Sequence, residues 1–325
     1  MGGRALKSYT RRIKKEEFLK IQHEIAGKLT FELGYDRVYF IPYISSKLDF
    51  GDLDLLLPKP KIESLEEFLC NSLYSKELSK NGDIISFEYN QFQVDLIHTQ
   101  KPMMAQTYFS YNDLGMLMGM LAKRVGCKYG TEGLFLEVYN NNKSKKWEIF
   151  LSDSPKEIFD FLNLDYVCYT KGFKTLTEVY DFICSSYLFD VDYFYNEKGW
   201  NHRKRTRNRK RPTWHGFIEY IKNIDIKNPI PRDNVNYCTE FFSKEYIYNE
   251  LNKIGEEEHK NNVIKEKFNG NIVSSLTGLE GKELSYFMSR FKKQFKNFES
   301  FIYYSKPEEV NSKLKEFYYG KGIFK

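Results

Sequence analysis

Gly51-Asp52-Leu53-Asp54-Leu55-Leu56-Leu57, read together with Phe92-Gln93-Val94-Asp95-Leu96-Ile97 further along, decides how this chain folds. The first stretch is apolar and β-prone, with two carboxylates two positions apart. Side chains of a strand alternate with period two, so Asp52 and Asp54 leave it on one face. The second stretch is another β-prone run with one acid in its middle, and if the strands are neighbours the three carboxylates converge. Like charges that close are tolerated only when a proton or a cation neutralises them. Magnesium, which takes oxygen ligands from one or two carboxylates together with substrate phosphates, is the natural candidate, and the site is then one for phosphoryl transfer. The plainer alternative puts Asp52 and Asp54 on a solvated sheet face with Asp95 unrelated. It must then explain an isolated acid inside a second hydrophobic strand.

The 325 residues are 41% apolar and 29% charged, which suffices for two domains with cores of their own and excludes a disordered chain. The net charge of +6 is modest but uneven, with its greatest density at 202–211, and a basic patch suggests a polyanionic partner. Cys70, Cys127, Cys168, Cys184 and Cys238 are odd in number and lack C-x-x-C spacing, so they read as reduced, mostly buried thiols rather than a disulfide framework or zinc site. His23, His98, His202, His215 and His259 show no ligand spacing. No charged and then apolar leader opens the chain, and no apolar run approaches the length of a membrane span. The expectation is a soluble intracellular protein, cytoplasmic, nuclear or virus-encoded, with no membrane partner.

Phe18, Ile21, Ile25 and Leu29 recur three or four apart, one face of a helix over 14–31. A strand is expected at 37–41, a loop at 45–51 before the Asp strand, a helix at 64–74, and β runs at 84–89 and 92–98. That order fits a small α/β (α+β) palm over residues 1–170, with its carboxylates along the sheet edge. After 170 the pattern turns helical, at 176–188, 214–224, 244–254, 256–268, 283–301 and 308–319, which predicts a helical C-terminal domain over 171–325. Pro212, Pro229 and Pro231 mark connections.

Several segments share one resemblance. Tyr9 to Phe18 looks like the lead into a first palm helix, Gly51 to Pro60 like an Asp-h-Asp strand, and Val94-Asp95-Leu96 like the strand of a third carboxylate. Tyr108-Phe109-Ser110 is similar to a Tyr-Phe-Thr-Gly turn, Gly126 to Leu134 to a G-x-x-x-N-x-x-G-L stretch, and Ser154 to Leu162 to a late E-x-x-I-F helix. In this order, over 9–166, they resemble the family X DNA polymerases, whose type member is DNA polymerase beta, within the nucleotidyltransferase superfamily. The resemblance implies a nucleotidyltransferase palm using Mg2+ or Mn2+, with a nucleoside triphosphate and a nucleic acid, DNA favoured over RNA, as partners. It implies that Asp52 and Asp54 hold both metals, and that Asp95 binds the catalytic one and favours deprotonation of an attacking 3′-hydroxyl. It places Arg12 on the triphosphate, and Tyr108 and Phe109 where a ribose hydroxyl is excluded. The physics agrees, because two ions can stabilise the attacking and leaving oxygens together.

Two departures matter. Ile41-Pro42 stands where the family carries a phosphate-binding Gly-Ser, and proline lacks an N–H. Ser45, Ser46 or Lys47 on a re-routed loop is the expected substitute, with Gly51 permitting close backbone approach. The run Leu114 to Leu121 offers no polar group to read a base, and looks instead like a packed helix with Gly and Met filling gaps.

His202 to Arg211 is the densest charge run, flanked by Trp200 and Trp214, with Tyr187, Tyr193 and Tyr195 upstream. Cations that follow phosphates, interleaved with rings that stack on bases, make nucleic-acid grooves. Arg203, Lys204, Arg205, Arg207, Arg209, Lys210, Arg211 and Trp214 are therefore candidate nucleic-acid contacts, although a solvated loop or a nuclear-import signal has the same composition. Leu276 to Leu284 reads as a helix, glycine turn and helix. It resembles helix-hairpin-helix phosphate binders, but an ordinary helix C-cap explains it better. The expected activity is transfer of nucleotides to a 3′-hydroxyl by a reduced family X-like DNA polymerase. A template-independent, RNA-, protein- or small-molecule-directed transferase and a nucleic-acid-binding protein with a decayed palm stay open.

Overall fold

The chain is mixed α/β with a helical C-terminal region; the computed structural model describes residues 5–59, 62–140, 143–196, 202, 206, 208–229 and 233–320. After the short β1 (Ile13–Lys14) comes α1 (Lys15–Phe31), which buries Phe18, Ile21, Ile25 and Leu29 on one face. Glu16 and Glu17 in its first turn and Lys28 in its last complement the helix dipole. β2 (Tyr39–Phe40), β3 (Asp49–Phe50), β4 (Asp52–Pro58), α2 (Leu65–Asn71), β5 (Leu78–Asn81), β6 (Ile84–Tyr89) and β7 (Phe92–Thr99) follow. β1 and β3 pair by themselves, and the others form a five-stranded sheet in the order β2-β4-β7-β6-β5. β4 and β7 are parallel and the remaining pairs antiparallel.

β5 is an addition to the expected order; Gly82 at φ +59 makes the tight turn that folds it back on β6. The carboxylate strands are inner strands, not the sheet edge expected from the sequence, because the two-residue β2 covers β4 on its outer side. Leu53, Leu55 and Leu57 of β4 join Val94 and Leu96 of β7 in a core closed by α1 and by Leu65, Phe68 and Leu69 of α2. Burying such side chains contributes roughly 1.5–3 kcal/mol each, which holds the pair of strands rigidly.

Next come α3 (Pro102–Phe109), α4 (Leu114–Arg124), an antiparallel sheet of β8 (Cys127–Gly130), β9 (Gly133–Tyr139) and β10 (Lys146–Ser152), then α5 (Pro155–Phe161), α6 (Tyr166–Lys171), α7 (Leu176–Cys184) and α8 (Val191–Tyr195). Leu114 through Met118, together with Met120 and Leu121, are buried in α4, the packed helix expected of that run. Gly115 is required there, since a Cβ at this position would lie 2.1 Å from the Tyr108 carbonyl oxygen.

Two compact units result, residues 1–139 with 146–244, and residues 140–145 with 245–325. The change to a helical pattern near residue 170 therefore lies inside the first unit. The buried Arg124 guanidinium donates to the Leu188 carbonyl at 2.7 Å and to Asp190 at 2.8 Å, and the Tyr237 hydroxyl donates to the Phe161 carbonyl at 2.9 Å. These bonds fasten the segments at 188–190 and at Tyr237 to earlier elements of the first unit. Lys244–Lys267, which from Glu245 on belongs to the second unit, is one helix of 24 residues, running through Gly255 where two helices are expected. A glycine in a solvated helix costs only about 1 kcal/mol, too little to break it. Conversely, the run expected at 283–301 divides into Gly281–Lys292 and Phe298–Tyr304 around a core of Phe268, Phe287, Phe291 and Ile302. Gly278 at φ +71 is a left-handed C-cap whose N–H bonds the Ser274 carbonyl at 2.7 Å, as the capping interpretation expects.

All five cysteines are free thiols, of which only Cys127 and Cys238 are buried, fewer than expected. Among the described residues no helix is long and apolar enough to cross a membrane.

A pair of glycine substitutions tests this packing. Gly115→Ala is expected to destabilise the fold by about 1–3 kcal/mol through overpacking against Tyr108. Gly27→Ala, in α1 with nothing within 4 Å of its new Cβ, is expected to stabilise it by about 0.5–1 kcal/mol. Urea unfolding of both variants measures the contrast, and equal effects would be inconsistent with the close contact at Gly115.

Candidate active site

β4 and β7 pair in the register Asp52 with Gln93, Leu53 with Val94 and Asp54 with Asp95. Alternation sends Leu53, Leu55 and Leu57 of β4 into the core, and Asp52 and Asp54 to the opposite face, where Asp95 lies beside Asp54. One carboxylate oxygen from each of the three lies within 4.8 Å of the other two. Asp95 is held from two sides: the Gln93 side-chain amide donates to its oxygens at 2.9 and 3.0 Å, and the Ser86 hydroxyl, across from it on β6, donates as well. Gln93 is itself oriented by the Ala5 N–H, which donates to its Oε1 at 2.9 Å.

Asp52 and Asp54 line a cavity of about 130 Å³ with an aromatic floor, and Asp95 adjoins them from β7. Phe18 stacks on Phe50 at 3.8 Å between centroids, and Tyr43 meets both rings edge-on. This apolar wall leaves Asp54 poorly solvated. Burial, then the charges of Asp52 and Asp95, push its pKa up to about 8, with Lys47 opposing. Burial also raises the Asp95 pKa, against the lowering effect of the hydrogen bonds from Ser86 and Gln93, while the Asp52 charge adds to the rise. Three convergent carboxylates, one of them forced to keep a proton, with neither Cys nor His among them, are the oxygen-only donor set of a hard divalent cation. The residues fit such an ion.

The other expected site residues divide. Lys47 is half-buried at the same cavity, its ammonium 4.5 Å from the Phe50 ring centroid and outside any salt bridge among the described residues. Burial lowers its pKa, while Asp52 and Asp54 counteract that. Arg12, by contrast, is engaged by Asp49 in a two-pronged pair, Nε to Oδ2 at 2.8 Å and Nη2 to Oδ1 at 3.2 Å. The loop amides are engaged too: the N–H groups of Ser45, Ser46 and Lys47 donate to the carbonyls of Phe173, Lys174 and Ile44 at 3.0, 3.1 and 2.9 Å. Ser46 lines a second cavity of about 310 Å³ with Arg12, Lys47 and Asp49, and Gly51 is buried between β3 and β4. Phe109 faces the carboxylate cavity, whereas Tyr108 lines a different one with Met116, Met120 and Lys123, so this pair does not act on one site.

Trp214, expected to stack on bases, is only 4% exposed, because the helix Pro212–Tyr220 turns it into the core near Phe217. Arg211 forms a salt bridge with Asp113, just before α4, at 3.1 Å, and Arg209 and Lys210 are exposed. Arg203, Lys204, Arg205, Arg207 and Trp200 lie outside the described residues. Sequence reasoning missed Asn112, which lines both the carboxylate cavity and the second one. The available signal was an asparagine, a residue tolerant of left-handed backbone, three positions after Phe109.

No protein-family model matches the chain, and no curated protein matches it. Among solved structures, two of polymerase beta from Leishmania infantum are similar. The ternary P/T complex gives a TM-score of 0.37 and 18% identity over 48% of this chain and 74% of that one. The ternary gap complex gives 0.38 and 17% over 48% and 69%. A likeness of this size defines neither an activity nor a substrate.

Asp54 makes stability depend on pH and cation together. Its carboxyl keeps a proton in the fold up to about pH 8 but loses it near 3.8 when unfolded, so rising pH through that window disfavours the fold. In chelator, wild type is expected to lose more than about 1 kcal/mol relative to Asp54→Asn between pH 5 and pH 9, the equivalent of one pKa unit. A divalent cation should restore it. Denaturant midpoints across the range measure this, and parallel curves for the two proteins would refute the assignment.

Proposed function

We propose that this chain is a divalent-metal-dependent nucleotidyltransferase, a reduced family X-like DNA polymerase that adds a nucleotide to the 3′-hydroxyl of a nucleic acid, DNA in preference to RNA. The observation that carries this reading is the convergence of the Asp52, Asp54 and Asp95 carboxylates from two parallel strands, beside a cavity that Asp52 and Asp54 line. The ordered sequence resemblance over 9–166 supports it. In this reading Asp52, Asp54 and Asp95 would hold Mg2+ or Mn2+, with Asp54 giving up its proton as the ion binds. Bound ions of this kind stabilise the attacking and leaving oxygens of an in-line displacement.

Asp95, oriented by Ser86 and Gln93, accepts the proton of the attacking hydroxyl at a carboxylate oxygen. The new phosphorus–oxygen bond then forms at the α-phosphate as pyrophosphate leaves. Lys47 supplies positive charge to the phosphates, the part that neither the engaged loop amides nor Arg12, in its pair with Asp49, is free to play. Exposed Arg209 and Lys210 follow the phosphates of the acceptor strand, together with Arg203, Lys204, Arg205 and Arg207. The burial of Met116 and Met120 in α4 favours a second reading, transfer without a template, since no polar side chain of that run faces a base pair.

Labelled deoxy- and ribonucleotides offered with gapped DNA, single-stranded DNA and RNA ends, with magnesium or manganese, separate these readings. Extension of gapped DNA alone supports the reduced polymerase, and extension of single strands supports the template-free transferase. Asp95→Asn is expected to lower incorporation about 10²–10⁴-fold while the unfolding midpoint holds; undiminished incorporation overturns the mechanism. Arg209→Ala and Lys210→Ala are each expected to reduce the slope of log affinity against log salt by about one. An unchanged slope removes both from the nucleic-acid surface.

A further inference from the structure

Asn112 sits in a turn that the fold holds against its own backbone preference. Tyr111 and Asn112 are consecutive non-glycine residues in the left-handed region, at φ 47 and φ 65. Such a pair persists only where its surroundings over-determine it. Here Tyr111 is the anchor: its N–H donates to the Pro42 carbonyl at 2.8 Å and its hydroxyl to the Tyr169 carbonyl at 3.3 Å. Its ring, 6% exposed, packs edge-on against Tyr169 and Phe173. On the other side, Asp113 is held by Arg211 at 3.1 Å.

This fastening delivers Asn112 to one place. It and Lys47 line both the carboxylate cavity and the neighbouring cavity of about 310 Å³. Unlike Arg12, which Asp49 engages, the Asn112 carboxamide has no hydrogen-bond partner among the described residues. A carboxamide offers a donor and an acceptor together, which matches a hydroxyl and not a phosphate. The phosphates would have their partners in Lys47 and in the cation that the carboxylates would hold, and the sugar is the next group along a nucleotide. Ile41, Pro42 and Phe109 give the same cavity apolar walls against which a sugar can rest.

We infer that Asn112 is a specificity-determining residue that recognises the 3′-hydroxyl of the bound nucleotide. This rests on the nucleotidyltransferase reading above. The strained turn serves to aim the carboxamide, with Tyr111 as its positioning residue.

Calorimetric binding of deoxy- and dideoxynucleoside triphosphates to the full chain, at fixed divalent cation and without acceptor, tests this without turnover. Asn112→Gly is the informative variant, because glycine adopts a positive φ freely and the fold should keep or gain stability. Wild type is expected to bind the deoxynucleotide about 5–10-fold more tightly than the dideoxynucleotide, the scale of one hydrogen bond. In Asn112→Gly that preference should vanish, with dideoxynucleotide affinity unchanged and the unfolding midpoint unchanged or raised. If wild type binds nucleotide and the variant keeps the same preference, or loses affinity equally for both ligands, Asn112 does not read the hydroxyl and the inference alone fails. If wild type binds no nucleoside triphosphate, the parent reading fails and takes this one with it.

Discussion

The parallel pairing of β4 with β7 in the register that sets Asp54 beside Asp95 is the constraint on which the rest depends. A one-residue slip of β4 would turn Asp52 and Asp54 toward the core and away from Asp95, because strand side chains alternate. The register is held by the leucines on the other face of β4, which cannot leave the core without exposing it. The repulsion among the carboxylates is thus imposed by hydrophobic packing. An element less firmly buried would relax it by moving apart.

Around that imposed repulsion the electrostatics are sorted with some economy. Arg12 carries the charge that sequence reasoning wanted at the phosphates, yet Asp49 takes one edge of its guanidinium, at Nε and Nη2. Lys47, two residues before Asp49, is left beside Asp52 and Asp54. An exposed ion pair contributes little to stability, about 0–1 kcal/mol, so the Arg12 pair does more to fix the loop in one shape than to hold the fold together. With the amides of Ser45, Ser46 and Lys47 bonded to other carbonyls, that loop presents side chains rather than backbone to the cavity.

What could be read from the sequence followed from periodicity. The face of α1, the two acids of β4, and the closely spaced runs β6 and β7 are all local patterns, and each formed within a residue or two of where it was expected. What could not be read depended on partners distant in the chain. Trp214 beside a run of arginines looks like a stacking platform until its helix is seen to bury that face. Arg12 looks free until Asp49 is seen next to it. The helices just after residue 170 look continuous with those that follow until the Arg124 guanidinium is seen bonded to Leu188 and Asp190. Gly255 looks like a break, but an isolated exposed glycine lacks the energetic weight to end a helix of that length.

The segment Tyr111-Asn112-Asp113 shows how little chain is needed to join these levels. Three consecutive residues point to the core, to the cleft and to the end of the basic run: Tyr111 to Tyr169 and Phe173, Asn112 to the cavities it lines with Lys47, and Asp113 to Arg211. The left-handed conformations of Tyr111 and Asn112 set the directions in which these three successive side chains leave the turn. The same three residues tie the start of α4 to Pro42, the residue that stands where a phosphate-binding glycine-serine was expected. Proline gives up its N–H there but keeps its carbonyl, and that carbonyl accepts the Tyr111 N–H. The residue that appeared only as a loss in the sequence is, in the fold, the acceptor that fixes the turn carrying Asn112.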